Sequence, residues 1–297
     1  MREAVNAKPL WRIKRAGLTI QRKNLNLSPS RFILYASTLV VVFLIICAIV
    51  PRWIAPYMPT DMQADQILLP PGGAHVLGTD YFGRDVFSLI VYGARESLFI
   101  GFASVIVGGL LGGLIGAYAG YFGGWTDRVL MRLNDIVMTV PSVLLALAIA
   151  AALGPGLWNI ILAVALAAVP NYARVMRGQI LSVKNRPFIT ASRSIGATQL
   201  SLFVKHVLPN SLSPLLVMAA IGVGTSILTG SGLSFLGLGV LKEIPDWGAL
   251  LSQGRGYLTV AWWICTFPGL AITLFVLSIN VLGDELRDAL DPKKRQS

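Results

Sequence analysis

The chain has 297 residues, 55% of them hydrophobic and only 13% charged, with a formal net charge of +11. Soluble domains carry about a quarter charged residues, so this composition excludes an ordinary soluble fold and points to a membrane protein. The positive charge does not mark a nucleic-acid binder, because Lys and Arg sit at the ends of apolar runs and not on one soluble face.

Residues 1–31 are polar and basic, and no small-residue cleavage site precedes the first apolar run. An uncleaved first anchor is therefore expected. Within this tail, Leu10–Leu27 mixes apolar and cationic residues. It reads equally as an interfacial helix on an anionic inner leaflet and as a solvated tail that enforces topology.

Crossing the hydrocarbon core takes about 20 mostly apolar residues in a helix. Six runs qualify: 32–50, 97–120, 129–153, 157–176, 211–236 and 262–283. None alternates as a barrel strand does, so the fold class is an all-α membrane protein with six transmembrane helices. The organisation that follows is a basic tail (1–31), a first span with its outer loop (32–96), and a five-helix core (97–297) with a cytoplasmic loop at about 178–210. With the N-terminus inside, 20 Lys and Arg fall on the inner side and five on the outer. That bias predicts that both termini are cytoplasmic.

The outer loop after the first span is too small for a binding domain. It contains GTDYFGRD, with Gly78, Thr79, Asp80, Gly83, Arg84 and Asp85. Gly and Asp at these intervals suit tight turns, and Arg84 has carboxylates nearby to pair with. The rival reading, a cation held by Asp80 and Asp85, needs more ligands in a defined order.

The second run carries Gly108, Gly112, Gly116 and Gly120 at a strict four-residue period. Such a ladder makes a smooth face for close helix packing, against a neighbour in this chain or in another. Pro141 and Pro268 fall inside the third and sixth runs and predict kinks there. Asn134 and Asp135 lie near the cytoplasmic end of the third, shallow enough for hydration. Cys47 and Cys265 read as packing residues, and no metal-ligand cluster is present.

Between the fourth and fifth runs lies a polar segment, PFITASRSIGATQLSLFVKHVLPN (187–210). Asn185 is expected to cap a helix that has Pro187 in its first turn. Phe188, Ala191, Ser192, Ile195 and Gln199 then share one face, and Gly196 ends the helix in a turn. A second short helix is expected to run to Pro209.

Thr190-Ala191-Ser192, three residues, Gly196, nine residues, then His206-Val207-Leu208-Pro209 resembles the EAA loop of binding-protein-dependent ABC importer permeases. The leading Glu of that motif is Thr190 here and its Ile is His206. GTDYFGRDVFS, YGARESL, AYAGYFGGWTDRVLMRLNDIVMTVPSVLLALA, LSFLGLGV, PDWGALL, WWICTFPGLAI and NVLGDELRDALDP are similar to the C-type permeases of the dipeptide, oligopeptide and nickel class.

The resemblance implies an ABC type I importer permease in a bacterial or archaeal cell (inner) membrane. It implies a homologous partner permease, two ATPase subunits that use ATP and Mg, and an extracytoplasmic solute-binding protein. Thr190, Ala191, Ser192, Gly196, His206, Leu208 and Pro209 would then belong to a helix that docks into a groove on the ATPase. Di- and oligopeptides, nickel chelates or glutathione-like molecules are the implied solutes.

The chain itself has no G-x-x-x-x-G-K-[ST] phosphate loop and no Gly-Lys pair, so no bound cofactor is expected and ATP is hydrolysed elsewhere. An ion-coupled transporter or channel is the alternative. It calls for ionisable residues within the spans, and the mid-span stretches carry essentially none. A membrane enzyme would need convergent nucleophiles, carboxylates or metal ligands, which the sequence does not offer.

Overall fold

The computed structural model describes residues 29–239 and 243–290; the tail segment Leu10–Leu27 lies outside them. The first helix, α1 (Pro29–Ile49), packs on the last helix and on the long helix that follows the outer loop. A single turn, α2 (Pro51–Ile54), follows, with Pro51 at its start, where a missing N–H removes no helical bond. Through the outer loop the described residues form a 3-10 turn, Ala64–Gln66, and two isolated bridges, Gly72 with His75 and Thr79 with Asp85.

α3 (Val86–Phe122) has 37 residues and is about 55 Å long, well beyond the roughly 30 Å hydrocarbon core. It begins at Val86 and not at residue 97, because the Asp85 carboxylate accepts from the Ser88 amide and caps the helix. That cap starts the helix through a polar first stretch, including Arg95 and Glu96, that hydropathy alone does not mark.

Gly123 and Gly124, both at positive φ, turn the chain into α4 (Gly124–Val137), and α5 (Ser142–Leu153) leaves it at 84°. The predicted third span is therefore a broken pair and not one rod kinked at Pro141. Pro141 precedes α5 in an extended conformation, since proline lacks a helical donor and pushes Val140 out of the helical region. Among the described residues five helices are long and apolar enough to cross a membrane alone, and the bent pair makes six when counted as one span.

α6 (Leu157–Lys184) runs parallel to α3, and the two form the most extensive helix pair. The glycine ladder explains it. A Cβ on Gly108, Gly112, Gly116 or Gly120 would lie 2.8, 2.5, 2.2 or 3.0 Å from the carbonyl oxygens of Ala165, Val169, Ala173 and Arg177. The neighbour left open by the sequence is thus a helix of the same chain. α4 is tied to α6 as well: Asp127 pairs with Arg177 at 2.5 Å, Asp135 with Arg174 at 2.7 Å, and Asn134 donates to the Pro170 carbonyl at 3.2 Å.

Two short helices follow, α7 (Pro187–Ser194) and α8 (Gln199–Leu202). A wide π-type turn, Phe203–Val207, then leads into α9 (Leu208–Leu233). α10 (Trp247–Gly254) and α11 (Trp263–Leu290) complete the described chain. Pro268 sits inside α11, as do Pro170 in α6 and Pro214 in α9, without ending any of them. Cys47 and Cys265 are free thiols.

Two sequence expectations need correction. Asn185 does not cap α7: α6 continues to Lys184, Asn185 closes it, and Arg186 precedes Pro187 without a side-chain cap. Pro209 does not stop the second short helix either. In the π-type turn the Leu208 amide reaches back to the Phe203 carbonyl, so the wider spiral accommodates a residue that lacks a donor.

Candidate functional site

The segment 187–209 is a knob held to the body by a few apolar contacts. Ile189 and Val207 are buried together with Ala117 and Tyr121 of α3 and Met176, Ile180 and Val183 of α6, and Leu202 is buried as well. Tyr121 is the main clamp. Its hydroxyl donates to the Gln199 carbonyl at 2.6 Å, its ring packs on Phe203 at 4.6 Å, and its own carbonyl accepts from Lys184 Nζ. A further contact places the Lys184 ammonium 5.4 Å from the centre of the Tyr121 ring.

Within the knob, Pro187 opens α7, and Gly196 at φ +88° makes the turn after it. The Gly196 and Ala197 amides close that turn on the Arg193 and Ser192 carbonyls. Thr198 then caps α8 through its hydroxyl, which accepts from the Ser201 amide at 3.3 Å. Asn210 donates to the His206 carbonyl at 2.6 Å, and Ser211 to that of Val207 at 2.8 Å, tying the π-type turn to α9.

The face read from sequence is the outward one. Phe188, Ala191, Ile195 and Gln199 are exposed and Ser192 half-buried, with Ile195 86% accessible. Thr190 and Pro209 are exposed too, while His206 and Leu208 are half-buried at the base. Leu200, at 73%, and Val204 extend the exposed apolar surface. Among the described residues Arg186, Arg193 and Lys205 form no ion pair, whereas Arg174 and Arg177 are neutralised by α4. No Asp or Glu occurs between Asp135 and Glu243, so the knob presents apolar side chains ringed by positive charge alone. The sequence did not reveal Tyr121 or Lys184 as its anchors.

On the opposite face of the molecule, the GTDYFGRD turn is built from internal bonds. Asp80 accepts from the Phe82 and Arg84 amides at 2.8 and 2.9 Å and from the Arg84 guanidinium at 2.6–2.7 Å, with both side chains buried. Asp85 takes the Ser88 amide and hydroxyl on one oxygen and His75 Nδ1, 2.9 Å away, on the other. The Thr79 carbonyl accepts from the Trp263 indole at 3.0 Å, and Arg84 reaches the Glu243 carbonyl at 3.3 Å. Gly78 and Gly83 have positive φ, and a Cβ at Gly83 would meet the Gln63 carbonyl at 2.0 Å. Both carboxylates are thus occupied in holding the outer loop onto α3, α11 and the α10 approach, as the turn reading expects. The Asp80 and Asp85 oxygens are taken by donors and not directed to a cation.

Residues 112–296 match the family model of the binding-protein-dependent transport system inner membrane component. The chain is 44% identical over 265 residues to the di/tripeptide transport system permease protein DppC of Pseudomonas aeruginosa (strain UCBPP-PA14), covering 87% of this chain and 88% of the relative. It is also 44% identical over 258 residues to the glutathione transport system permease protein GsiD of Escherichia coli O6:K15:H31 (strain 536 / UPEC), covering 86% and 85%. Among solved structures, a crystal structure of an amino acid ABC transporter with histidines superposes with a TM-score of 0.55 at 17% identity, over 69% of this chain and 95% of the other. That last likeness concerns the fold alone.

Proposed function

Because this chain belongs to the family of binding-protein-dependent transport system inner membrane components and is the permease subunit of an ABC importer, we propose that its cargo is a di- or oligopeptide or a related small solute. Glutathione-like molecules and nickel chelates fall in the same range. It works in the inner membrane of a bacterial or archaeal cell beside a homologous permease. Two ATPase subunits consume ATP with Mg, and an extracytoplasmic binding protein delivers the solute. The peptide names of the relatives support the cargo, and the absence of a phosphate loop supports a separate motor.

The observation that carries this reading is the knob at 187–209. Ile189 and Val207 fix it rigidly to α3 and α6, so a push on it is passed to two membrane helices and not absorbed locally. Its outward Ile195, Leu200 and Val204, ringed by Arg186, Arg193 and Lys205, suit an apolar groove with an acidic rim on a cytoplasmic ATPase. Thr190, Ala191, Ser192, Gly196, His206, Leu208 and Pro209 form or support that docking surface.

Leu200→Asp places a charge in the docked face, and Gly196→Val puts a β-branched residue at φ +88°. Burying one leucine side chain is worth ~2 kcal/mol, so ATPase stimulation by the loaded binding protein is expected to fall roughly thirty-fold in Leu200→Asp. Dipeptide uptake should be lost in both variants, while membrane insertion and solute binding to the receptor protein stay normal. Wild-type uptake and stimulation in both would remove the coupling role.

A further inference from the structure

Between α5, α6 and α9 lies a niche of about 110 Å³ whose polar lining is Ser142, Asn171, Thr225, Ser226 and Thr229. Its remaining walls are the aliphatic Val164, Ala167 and Ala168. No ionisable side chain lines it. The helical rise puts Ser142 about 16 Å from the end of α5 at Leu153, and Asn171 about 21 Å from the start of α6 at Leu157. Both depths fall inside a hydrocarbon core about 30 Å thick. The niche also sits at the break where α5 leaves α4 at 84°.

Uncharged hydrogen-bonding groups at this depth are normally turned back onto their own helix, as the Thr225 hydroxyl is onto the Gly222 carbonyl at 3.0 Å. Ser142, Asn171, Ser226 and Thr229 are not: their side chains make no hydrogen bond among the described residues. Ser226 is only 6% exposed, yet its hydroxyl has no hydrogen-bond partner among the described residues. Facing lipid, such a group would have no partner at all.

We propose that these five residues form a hydrogen-bonding station on the translocation path that takes the backbone amides of a passing peptide. The proposal rests on the reading of this chain as a peptide permease. A peptide crossing a low-dielectric passage must replace the water on each N–H and C=O. Hydroxyls and a carboxamide both donate and accept, so they serve either group in any order. They do so without regard to side-chain identity, which suits cargo already selected by a separate receptor. A charged wall would hold the ionic termini of a peptide, whereas passage needs contacts weak enough to release.

The test uses the complete importer, with partner permease, ATPases and binding protein, in proteoliposomes supplied with trialanine. In a Cys47→Ala/Cys265→Ala background, Ser142→Cys and Thr229→Cys are expected to react with a water-soluble methanethiosulfonate and to slow about three-fold during trialanine transport. Thr229→Val and Asn171→Leu should each reduce trialanine uptake roughly three- to ten-fold, the worth of one hydrogen bond. Thr229→Ser, which keeps the hydroxyl, should restore it. A trialanine analogue with ester in place of amide links should lose less in the same variants.

Cysteines that react only with a lipid-soluble maleimide would overturn the station, as would wild-type uptake in Thr229→Val and Asn171→Leu. Wild-type importer that takes up no peptide would instead sink the peptide reading on which the station rests.

Discussion

Asp246, at the start of α10, is 1% exposed and accepts from the Gly248 and Ala249 amides at 2.8 and 3.2 Å. Burial pushes its carboxyl above the usual value of 3.8; the two amide bonds oppose the shift and the nearby Glu96 charge adds to it. The folded chain therefore holds this proton more tightly than the unfolded one. Its contribution to stability is complete below the ordinary carboxylate range and declines as pH rises through the raised value. Asp246→Asn keeps a cap acceptor and has no charge to desolvate. Thermal unfolding in detergent should give a midpoint at high pH no lower than wild type, with a flatter dependence on pH above the ordinary carboxylate range. Asp246→Ala loses the cap as well and should cost ~1 kcal/mol. If Asn lowers the midpoint as far as Ala does, the charge itself is required.

At the scale of helices, the apolar runs were legible because crossing lipid demands them, but where the helices end was not. α3 starts at Val86 because a side-chain cap extends it through polar sequence, and α4 breaks from α5 because proline excludes Val140 from the helix. Pro209 was misread as a stop because a π-type turn is a backbone adjustment with no composition of its own. The outward face of the knob could be read from its 3.6-residue spacing. Its anchors could not, since Tyr121 lies 78 residues from Gln199 and 63 from Lys184. The glycine ladder stood between these cases: its period was plain, and its partner α6 was not. A Cβ at Gly112 would meet the Val169 carbonyl at 2.5 Å and Tyr172 Cβ at 2.6 Å, whereas one at Gly109 meets only the Tyr172 ring at 3.9 Å. Gly112→Leu should thus destabilise this chain on its own, without a partner permease, by at least the ~1–3 kcal/mol of overpacking, and Gly109→Ala should be close to neutral. Equal midpoints for the two variants of the isolated subunit would show that α3 and α6 do not approach this closely.

Over the whole molecule, the two polar surfaces are chemically distinct and lie at opposite ends of the α3–α6 pair. The knob end is cationic, with Arg186, Arg193 and Lys205 and no acidic residue in its segment, while the other end is the buried Asp80–Arg84 and His75–Asp85 clamp. A basic end stays on the cytoplasmic side during insertion, so the knob faces inward and the clamp outward. Thr79, an outer-loop position in the sequence, is wholly buried and would make a poor reporter of that side; Val76, 69% exposed in the same loop, is a good one. Ile195 reports the other end. In a chain freed of Cys47 and Cys265, Val76→Cys should be labelled on intact cells by an impermeant maleimide, and Ile195→Cys only after permeabilisation. Inverted vesicles should reverse the two, and adding the ATPase subunits to those vesicles should shield Ile195→Cys without changing Val76→Cys. Labelling of Ile195→Cys from outside intact cells would invert the molecule in the membrane. It would also remove the knob from the compartment where ATP is found, so orientation and energy coupling stand or fall on one measurement.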